Sequence, residues 1–172
     1  MNKNGFTLTE LLAVVIIIGI LTGLSLGNFR QAFERSHFSE GLQAGAALNG
    51  AISRYYYDNL DKSESARTSP SASQLDISLT NAGACTAITK TPCFRTKYFE
   101  VYYDSSSKYV ESCRVKNGST KDYCIRFYPD FSSTHALEKC RVLNSSAAGK
   151  NLCISMGYTS VSSSTYSKPN AN

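Results

Sequence analysis

The sequence of 172 residues predicts an α+β fold, in which a long amino-terminal helix packs against a carboxy-terminal antiparallel sheet head that carries disulfides. Three observations support this fold class. No charged side chain interrupts residues 11–29, apolar residues then recur every three or four positions, and the strand-like segments and all six cysteines lie from residue 85 onward. The mean hydropathy of -0.23 therefore averages two parts that suit opposite solvents.

Residues 6–29 are predicted to form a membrane-spanning first part of the helix. The uncharged run, together with the residues just before it, reaches the length of about 20 residues that a bilayer-spanning helix needs. No A-x-A-like site follows the run, so it is not an ordinary secretory signal peptide. Glu10 lies at its edge, where an acidic side chain costs free energy unless it is paired or reaches the membrane interface.

The helix is expected to continue as an amphipathic segment over residues 30–60. Polar side chains fall largely between the members of an apolar stripe, which a body domain must cover. The expected members of the stripe are Phe29, Phe33, His37 or Phe38, Leu42, Ala46, Asn49, Ile52 and Tyr55 or Tyr56. His37 is interpreted as an ordinary helix-face histidine, because no second metal ligand lies at helical spacing from it.

The remainder of the chain is divided by composition. Residues 61–97 are expected to form a connecting loop region, because Ser, Lys, Glu, Asp and Pro70 replace the apolar period at its start. Residues 98–159 are expected to hold the antiparallel sheet and a disulfide-bounded loop, with strand-like segments at 98–103, 108–116 and 122–128. Residues 160–172 are expected to form a flexible tail.

The hairpin between the second and third strand-like segments predicts its own cross-strand pairs. Placing the loop at residues 117–120 gives three opposed pairs: Lys116 with Lys121, Cys113 with Cys124, and Glu111 with Arg126. Opposed positions lie about 4.5 to 5.5 Å apart, which is within reach of a disulfide. The register therefore predicts the disulfide Cys113–Cys124, although the two lysines beside the loop repel each other.

The six cysteines are expected to form three disulfides made outside the cytoplasm. Their number is even, the body around them is rich in Ser and Thr, and no C-x-x-C pair typical of zinc sites or redox dithiols is present. Six cysteines permit fifteen pairings. Local closure favours Cys85–Cys93 and Cys140–Cys153 beside Cys113–Cys124, and no metal site is predicted.

The residues argue against an enzyme and against a nucleic-acid-binding protein. The only histidines are His37 and His135, and no G-x-S-x-G, H-E-x-x-H or phosphate-binding glycine loop is present, so no cofactor is expected. The net charge of +5 is spread along the chain rather than clustered. A basic patch would require the sheet to gather Arg95, Lys97, Arg114, Lys116, Lys121, Arg126, Lys139 and Arg141.

The segment Gly5-Phe6-Thr7-Leu8-Thr9-Glu10-Leu11-Leu12, followed by the apolar run, resembles the class III leader and helix of type IV pilins and of the related pseudopilins of type II secretion. The resemblance covers about the first 55 residues. It implies a pilin fold, cleavage after Gly5 by a prepilin peptidase that removes leader residues 1–5, and methylation of the new amino terminus at Phe6. It also implies that Glu10 neutralises the terminal amine of a neighbouring subunit.

The same resemblance implies a structural subunit of a type IV pilus that is not an enzyme. Residues 6–29 are then a single-pass inner-membrane helix before assembly, and afterwards the assembly helix of an extracellular helical filament for adhesion, motility or DNA uptake. The implied partners are other copies of the chain, the peptidase, and an assembly platform with its ATPase. The alternative is a pseudopilin. The six cysteines and the loop between Cys140 and Cys153, which resembles the disulfide-bounded region of pilins, favour the pilus.

Overall fold

The computed structural model of the chain describes residues 7–77, 84–132 and 138–169, apart from the side chains of residues 24–28 and 121. The chain divides into two compact units, Met1–Ser36 and His37–Asn172, and the second is called the head below. Helix α1, Leu8–Asp58, contributes residues to both units. Within the described residues, no helix combines the length and the apolar character that a membrane span requires.

The predicted α+β fold, with a long amino-terminal helix, an antiparallel sheet and three disulfides, is confirmed. The sheet has seven strands in the order β1-β2-β3-β4-β5-β7-β6, and every neighbouring pair is antiparallel. The strands are β1 Cys93–Arg95, β2 Phe99–Asp104, β3 Tyr109–Lys116, β4 Ser119–Phe127, β5 Lys139–Val142, β6 Ser160–Ser162 and β7 Thr165–Ser167.

The two faces of the sheet differ in chemistry, because successive strand residues point to opposite sides. One row of directly opposed residues is mostly apolar and joins the core that includes α1: Val101, Ser112, Ile125, Cys140 and Tyr166. The neighbouring row lies on the other side: Tyr102, Glu111, Arg126, Lys139 and Ser167. We call these two sides the inner face and the outer face.

The part of α1 within the head packs on the inner face through members of the expected stripe, such as Phe38 and Ile52, and through Leu48, which lies outside it, whereas Ala46 of the stripe is exposed. Phe38, Leu48 and Ile52 are buried, whereas Phe29 and Phe33, which precede the head, are exposed. Between the buried side chains, Gly41 faces the ring of Phe99 and Gly45 faces the ring of Phe127. The glycines select this face because they let the two rings approach the helix backbone, where any side chain would keep them apart.

The hairpin between β3 and β4 turns more tightly than predicted. Lys116 lies opposite Ser119, not opposite Lys121, so the loop is only Asn117-Gly118. Both loop residues have positive φ, 51° and 72°, which suits an Asn-Gly hairpin turn. The tighter turn also avoids the opposed lysine pair.

A register shift then restores the predicted pairing farther along the hairpin. The shift falls between Cys113 and Val115, where β4 contains two more residues than β3. Asp122, within this irregular stretch, has a φ of 64°. Beyond the shift, Cys113 lies opposite Cys124 and Glu111 opposite Arg126, as the four-residue loop also placed them.

Three disulfides tie the head together and leave no free cysteine among the described residues. They join Cys85 to Cys93, Cys113 to Cys124, and Cys140 to Cys153, which are the pairs favoured above. The second disulfide crosses β3 and β4 on the outer face. The third joins β5 to helix α3, Ala147–Ser155, whose first turn is capped because Gly149 N–H donates to Ser146 Oγ.

Two regions contain more regular structure than expected. The connecting region over residues 61–97 includes the short helix α2, Glu64–Arg67, a 3₁₀ turn at Ala72–Gln74 and strand β1. The expected flexible tail contributes β6 and β7 to the sheet, and Tyr166 of β7 is buried opposite Cys140. This segment is rich in Ser, but its Tyr166 packs in the core and holds it against the sheet.

We predict that Gly45→Ala destabilises the head, because the added Cβ overlaps the ring of Phe127. Overpacking of this kind costs about 1 to 3 kcal/mol. Gly50→Ala in the same helix is the matched control, since the nearest atom to its added Cβ belongs to the exposed guanidinium end of Arg54, 3.3 Å away. Helix propensity should make that variant more stable by about 1 kcal/mol. Urea unfolding of the full chain in nonionic micelles tests the difference, and equal midpoints for the two variants would contradict it.

Candidate assembly site and the polar network of the head

The carboxylate of Glu10 caps the start of α1. Thr7 N–H donates to Glu10 Oε2 over 2.9 Å, and the Thr7 hydroxyl donates to the same oxygen over 2.6 Å. In return, Glu10 N–H donates to Thr7 Oγ1 over 3.3 Å. This reciprocal arrangement is a capping box, which supplies partners to backbone N–H groups that the first helical turn leaves unpaired.

This cap was not predicted from the sequence, although the Thr-x-x-Glu spacing of Thr7 and Glu10 signals it. Gly5 and Phe6, the expected cleavage and methylation sites, lie outside the described residues. Glu10 therefore already has a local structural role, and any pairing with an amine must share or replace the bonds to Thr7.

The helix that follows Glu10 presents apolar side chains in every direction. The large apolar residues between Leu11 and Leu21 are each 49% to 62% exposed, as is Phe29 at 62%. Burying one such side chain stabilises a protein by about 1.5 to 3 kcal/mol. An exposed apolar surface of this extent is typical of an interface with other proteins or with lipid.

On the outer face of the head, Glu111 is fully buried and holds two arginines. Arg126 donates through Nε and Nη2 to Oε1, over 2.9 and 2.7 Å. Arg141 donates through Nε to Oε1 and through Nη2 to Oε2, both over 2.7 Å. The Tyr102 hydroxyl donates to Oε2 over 2.6 Å. We call these four residues the Glu111 network.

The network keeps Glu111 ionised. Burial by itself raises the pKa of the carboxyl, but the hydrogen bond from Arg141 and the charges of Arg126 and Arg141 outweigh burial. The pKa of Glu111 therefore lies below its usual range. One carboxylate faces two guanidiniums, so the network carries a net charge of +1.

Glu100, also fully buried on the outer face, anchors the loop that precedes β1. Its carboxylate accepts from the backbone N–H groups of Thr86, Ala87 and Ile88 over 2.6 to 3.2 Å, and from the Thr86 hydroxyl over 3.0 Å. Cys85 of the same loop is bonded to Cys93 in β1. Sequence reasoning missed this anchor, because no local pattern links a strand carboxylate to a loop more than ten residues away.

The basic residues considered for a nucleic-acid patch are mostly paired within the head. Arg126 and Arg141 bind Glu111, and Lys116 bridges to Asp122 over 2.8 Å. Arg114 is only 4% exposed; it donates to the carbonyls of Tyr98 and Val115. These four basic side chains are therefore paired with groups of the head and do not form a separate basic patch.

His37 packs at the start of the head. Its Nδ1 lies 3.1 Å from Arg114 Nη2, and its ring centroid lies 4.0 Å from that of Tyr98. His135 lies outside the described residues.

Comparisons with known proteins point to fimbriae. Residues 1–26 match the family described as the prokaryotic N-terminal methylation motif. Over 56 residues the chain is 41% identical to the fimbrial protein EcpC of Eikenella corrodens, which is 33% of this chain and 37% of that protein. Over 116 residues it is 26% identical to fimbrial proteins of Neisseria meningitidis serogroups A and B, which is 67% of this chain and 52% of each relative. No solved structure matches the chain.

The aligned segments span 37% and 52% of the length of these curated relatives. The methylation motif and the fimbrial relatives confirm the resemblance to type IV pilins that the amino-terminal residues predicted. The matched residues 1–26 include the expected leader, Glu10 and most of the exposed apolar helix.

We predict that Glu111→Gln destabilises the head at neutral pH, because it leaves two guanidiniums without their carboxylate. Removing one partner of a buried ion pair costs about 3 to 5 kcal/mol. Glu64→Gln is the control, since Glu64 pairs with Lys108 at the surface and its loss should have little effect.

The effect of Glu111→Gln should depend on pH with a definite sign. The folded-state pKa of Glu111 is lowered, so its contribution to stability is present above the usual carboxyl pKa of about 4.3 and is lost as pH falls through the folded-state value. Unfolding measured from pH 7 down to acid should show the gap between the two proteins closing. A gap that stays constant over this range would show that Glu111 does not titrate as described.

Proposed function

We propose that this chain is the structural subunit of a type IV pilus. In this proposal a prepilin peptidase cleaves after Gly5 and methylates Phe6, residues 6–29 hold the chain in the inner membrane, and assembly machinery then moves it into an extracellular filament. The observation that carries the proposal is the apolar amino-terminal helix, whose side chains are exposed in a single copy. The methylation motif and the fimbrial relatives support it.

Burial of the apolar helix supplies the driving force for assembly. Each helix exposes large aliphatic side chains around its whole circumference, so several neighbouring helices are needed to cover them. A membrane covers the same surface before assembly, since lipid tails are as apolar as the helix core of a filament. The transfer between the two environments therefore exposes little of this surface to water.

Glu10 supplies the axial register of the filament in this proposal. A carboxylate among apolar helices is costly unless a positive group pairs with it. The terminal amine of Phe6 on a neighbouring copy is such a group once the leader, with Lys3, has been removed. The capping box holds the Glu10 carboxylate beside Thr7, one residue from the new terminus in sequence, until that amine arrives.

The identity of the fibre tests the proposal. We expect purified surface fibres from the source cells to contain this chain, beginning with methyl-Phe6 and lacking residues 1–5, as measured by mass spectrometry. The pseudopilin alternative shares the amino-terminal machinery but predicts a different result: no surface fibre at native expression, and loss of protein secretion when the chain is deleted. A chain that retains residues 1–5 in its mature form would overturn both.

The role of the Glu10 charge can be separated from its role as a cap. Glu10→Gln keeps a side-chain oxygen for the capping box, which accepts Glu or Gln at this position, but it removes the charge. We expect Glu10→Gln to give a processed, folded chain with greatly reduced fibre yield.

Thr7→Ala is the matched variant, because it removes the hydroxyl partner of the cap and keeps the charge. We expect it to assemble. Fibre yields are compared by shearing and electrophoresis, with methyl-Phe6 measured in the cell-bound fraction to verify processing. Normal yield from Glu10→Gln, or an equal loss from Thr7→Ala, would contradict the charge-pairing role.

A further inference from the structure

An open cavity of about 230 Å³ lies on the outer face of the head, beside the Glu111 network. Its apolar walls include Ile88, Tyr102 and Leu143, together with the disulfide Cys113–Cys124. Binding sites for small molecules combine apolar walls of this kind with a few well-placed polar groups. The size restricts the occupant to a molecule no larger than about one sugar ring.

The polar lining of the cavity is cationic. Arg141 lines the cavity and also donates to Glu111 through Nε and Nη2. Among the described residues, none accepts a hydrogen bond from its Nη1. Thr120 adds a hydroxyl, and Lys90 adds an ammonium group that Asp104 neutralises.

The net charge of the residues around the cavity favours a ligand with a single negative charge. Lys90 and Asp104 cancel, so the net charge of +1 comes from the second guanidinium of the Glu111 network. A single carboxylate matches this charge. A phosphate monoester, with a charge of about −1.5 to −2 at neutral pH, exceeds it and is repelled by Glu111 and Asp104.

We propose that this cavity binds the carboxylate of a small acidic sugar. The carboxylate accepts from Arg141 Nη1, and the Thr120 hydroxyl bonds a ring hydroxyl. One side of the sugar ring packs against Ile88, Leu143 and the disulfide. The anchoring of loop residues 86–88 by Glu100 holds the Ile88 wall in place before the ligand arrives.

Calorimetric titration of the full-length chain in nonionic detergent micelles tests this site without any need for fibres. Galacturonate and glucuronate are the probes, galactose is the neutral analogue, and inorganic phosphate tests for a general anion site. We expect the two acids to bind and galactose and phosphate to bind at least about tenfold more weakly, which corresponds to about 1.4 kcal/mol. Failure of both acids to bind up to about 20 mM, or equal binding of galactose or phosphate, overturns the proposal.

Two site variants and one control variant locate the binding. Arg141→Gln should weaken acid binding at least about tenfold, while Lys62→Gln, which removes the same charge from the loop after α1, should leave it unchanged. Since Arg141→Gln also alters the Glu111 network, Thr89→Trp is tested as well: it fills the exposed cavity edge and leaves every charge in place. Unchanged acid binding in Thr89→Trp, or equal losses in Arg141→Gln and Lys62→Gln, overturns the site.

Trigalacturonate distinguishes the two sources of such a group. Tighter binding than the monomer supports a sugar within an acidic polymer, and binding of the monomer alone supports a free acid. Neither result depends on assembly, so failure of this site leaves the filament proposal standing.

Discussion

The close contact between α1 and the inner face of the sheet is the interaction on which the head depends. It needs Gly41 and Gly45, which let the rings of Phe99 and Phe127 reach the helix backbone. Leu48 and Ile52 then fill the core beside Val101 and Ile125 with no exposed surface. Because α1 and α3 together pack on the inner face, the sheet can place its buried charged groups on the other side.

The outer face is stabilised by charge pairs and disulfides together with a small apolar cluster around Tyr102. Glu111 and Glu100 are both buried there, and each has a full set of donors. Buried carboxylates are tolerated only when their partners are held rigidly. The Cys113–Cys124 bond ties the strand of Glu111 to the strand of Arg126, and the Cys85–Cys93 bond ties β1 to the loop that Glu100 anchors.

The amino-terminal part of α1 has the opposite character, because its apolar side chains have no cover in a single copy. This surface is what makes assembly a reasonable function for the chain. Glu10 links the two states of the helix: in one copy its carboxylate caps the first turn through Thr7, and in the proposed filament it meets an amine. In that proposal the same carboxylate caps the helix first and sets the register later.

The sequence by itself determined the elements and their local pairs. The uncharged run, the helical period and the strand-like segments predicted the α+β fold, and counting along one hairpin placed Cys113 opposite Cys124. That count succeeded with the wrong loop, because the tight Asn117-Gly118 turn and the two extra residues in β4 cancel. The Thr7-x-x-Glu10 cap was also readable.

Tertiary structure decided the close approach of Gly41 and Gly45 to the sheet, the pairing of β6 and β7 with it, and the meeting of Glu111 with Arg141, 30 positions apart. These features depend on the order of the strands in the sheet and on the fit of the Phe99 and Phe127 rings against Gly41 and Gly45. Local periodicity does not encode them, because a periodic pattern describes one helix or strand at a time.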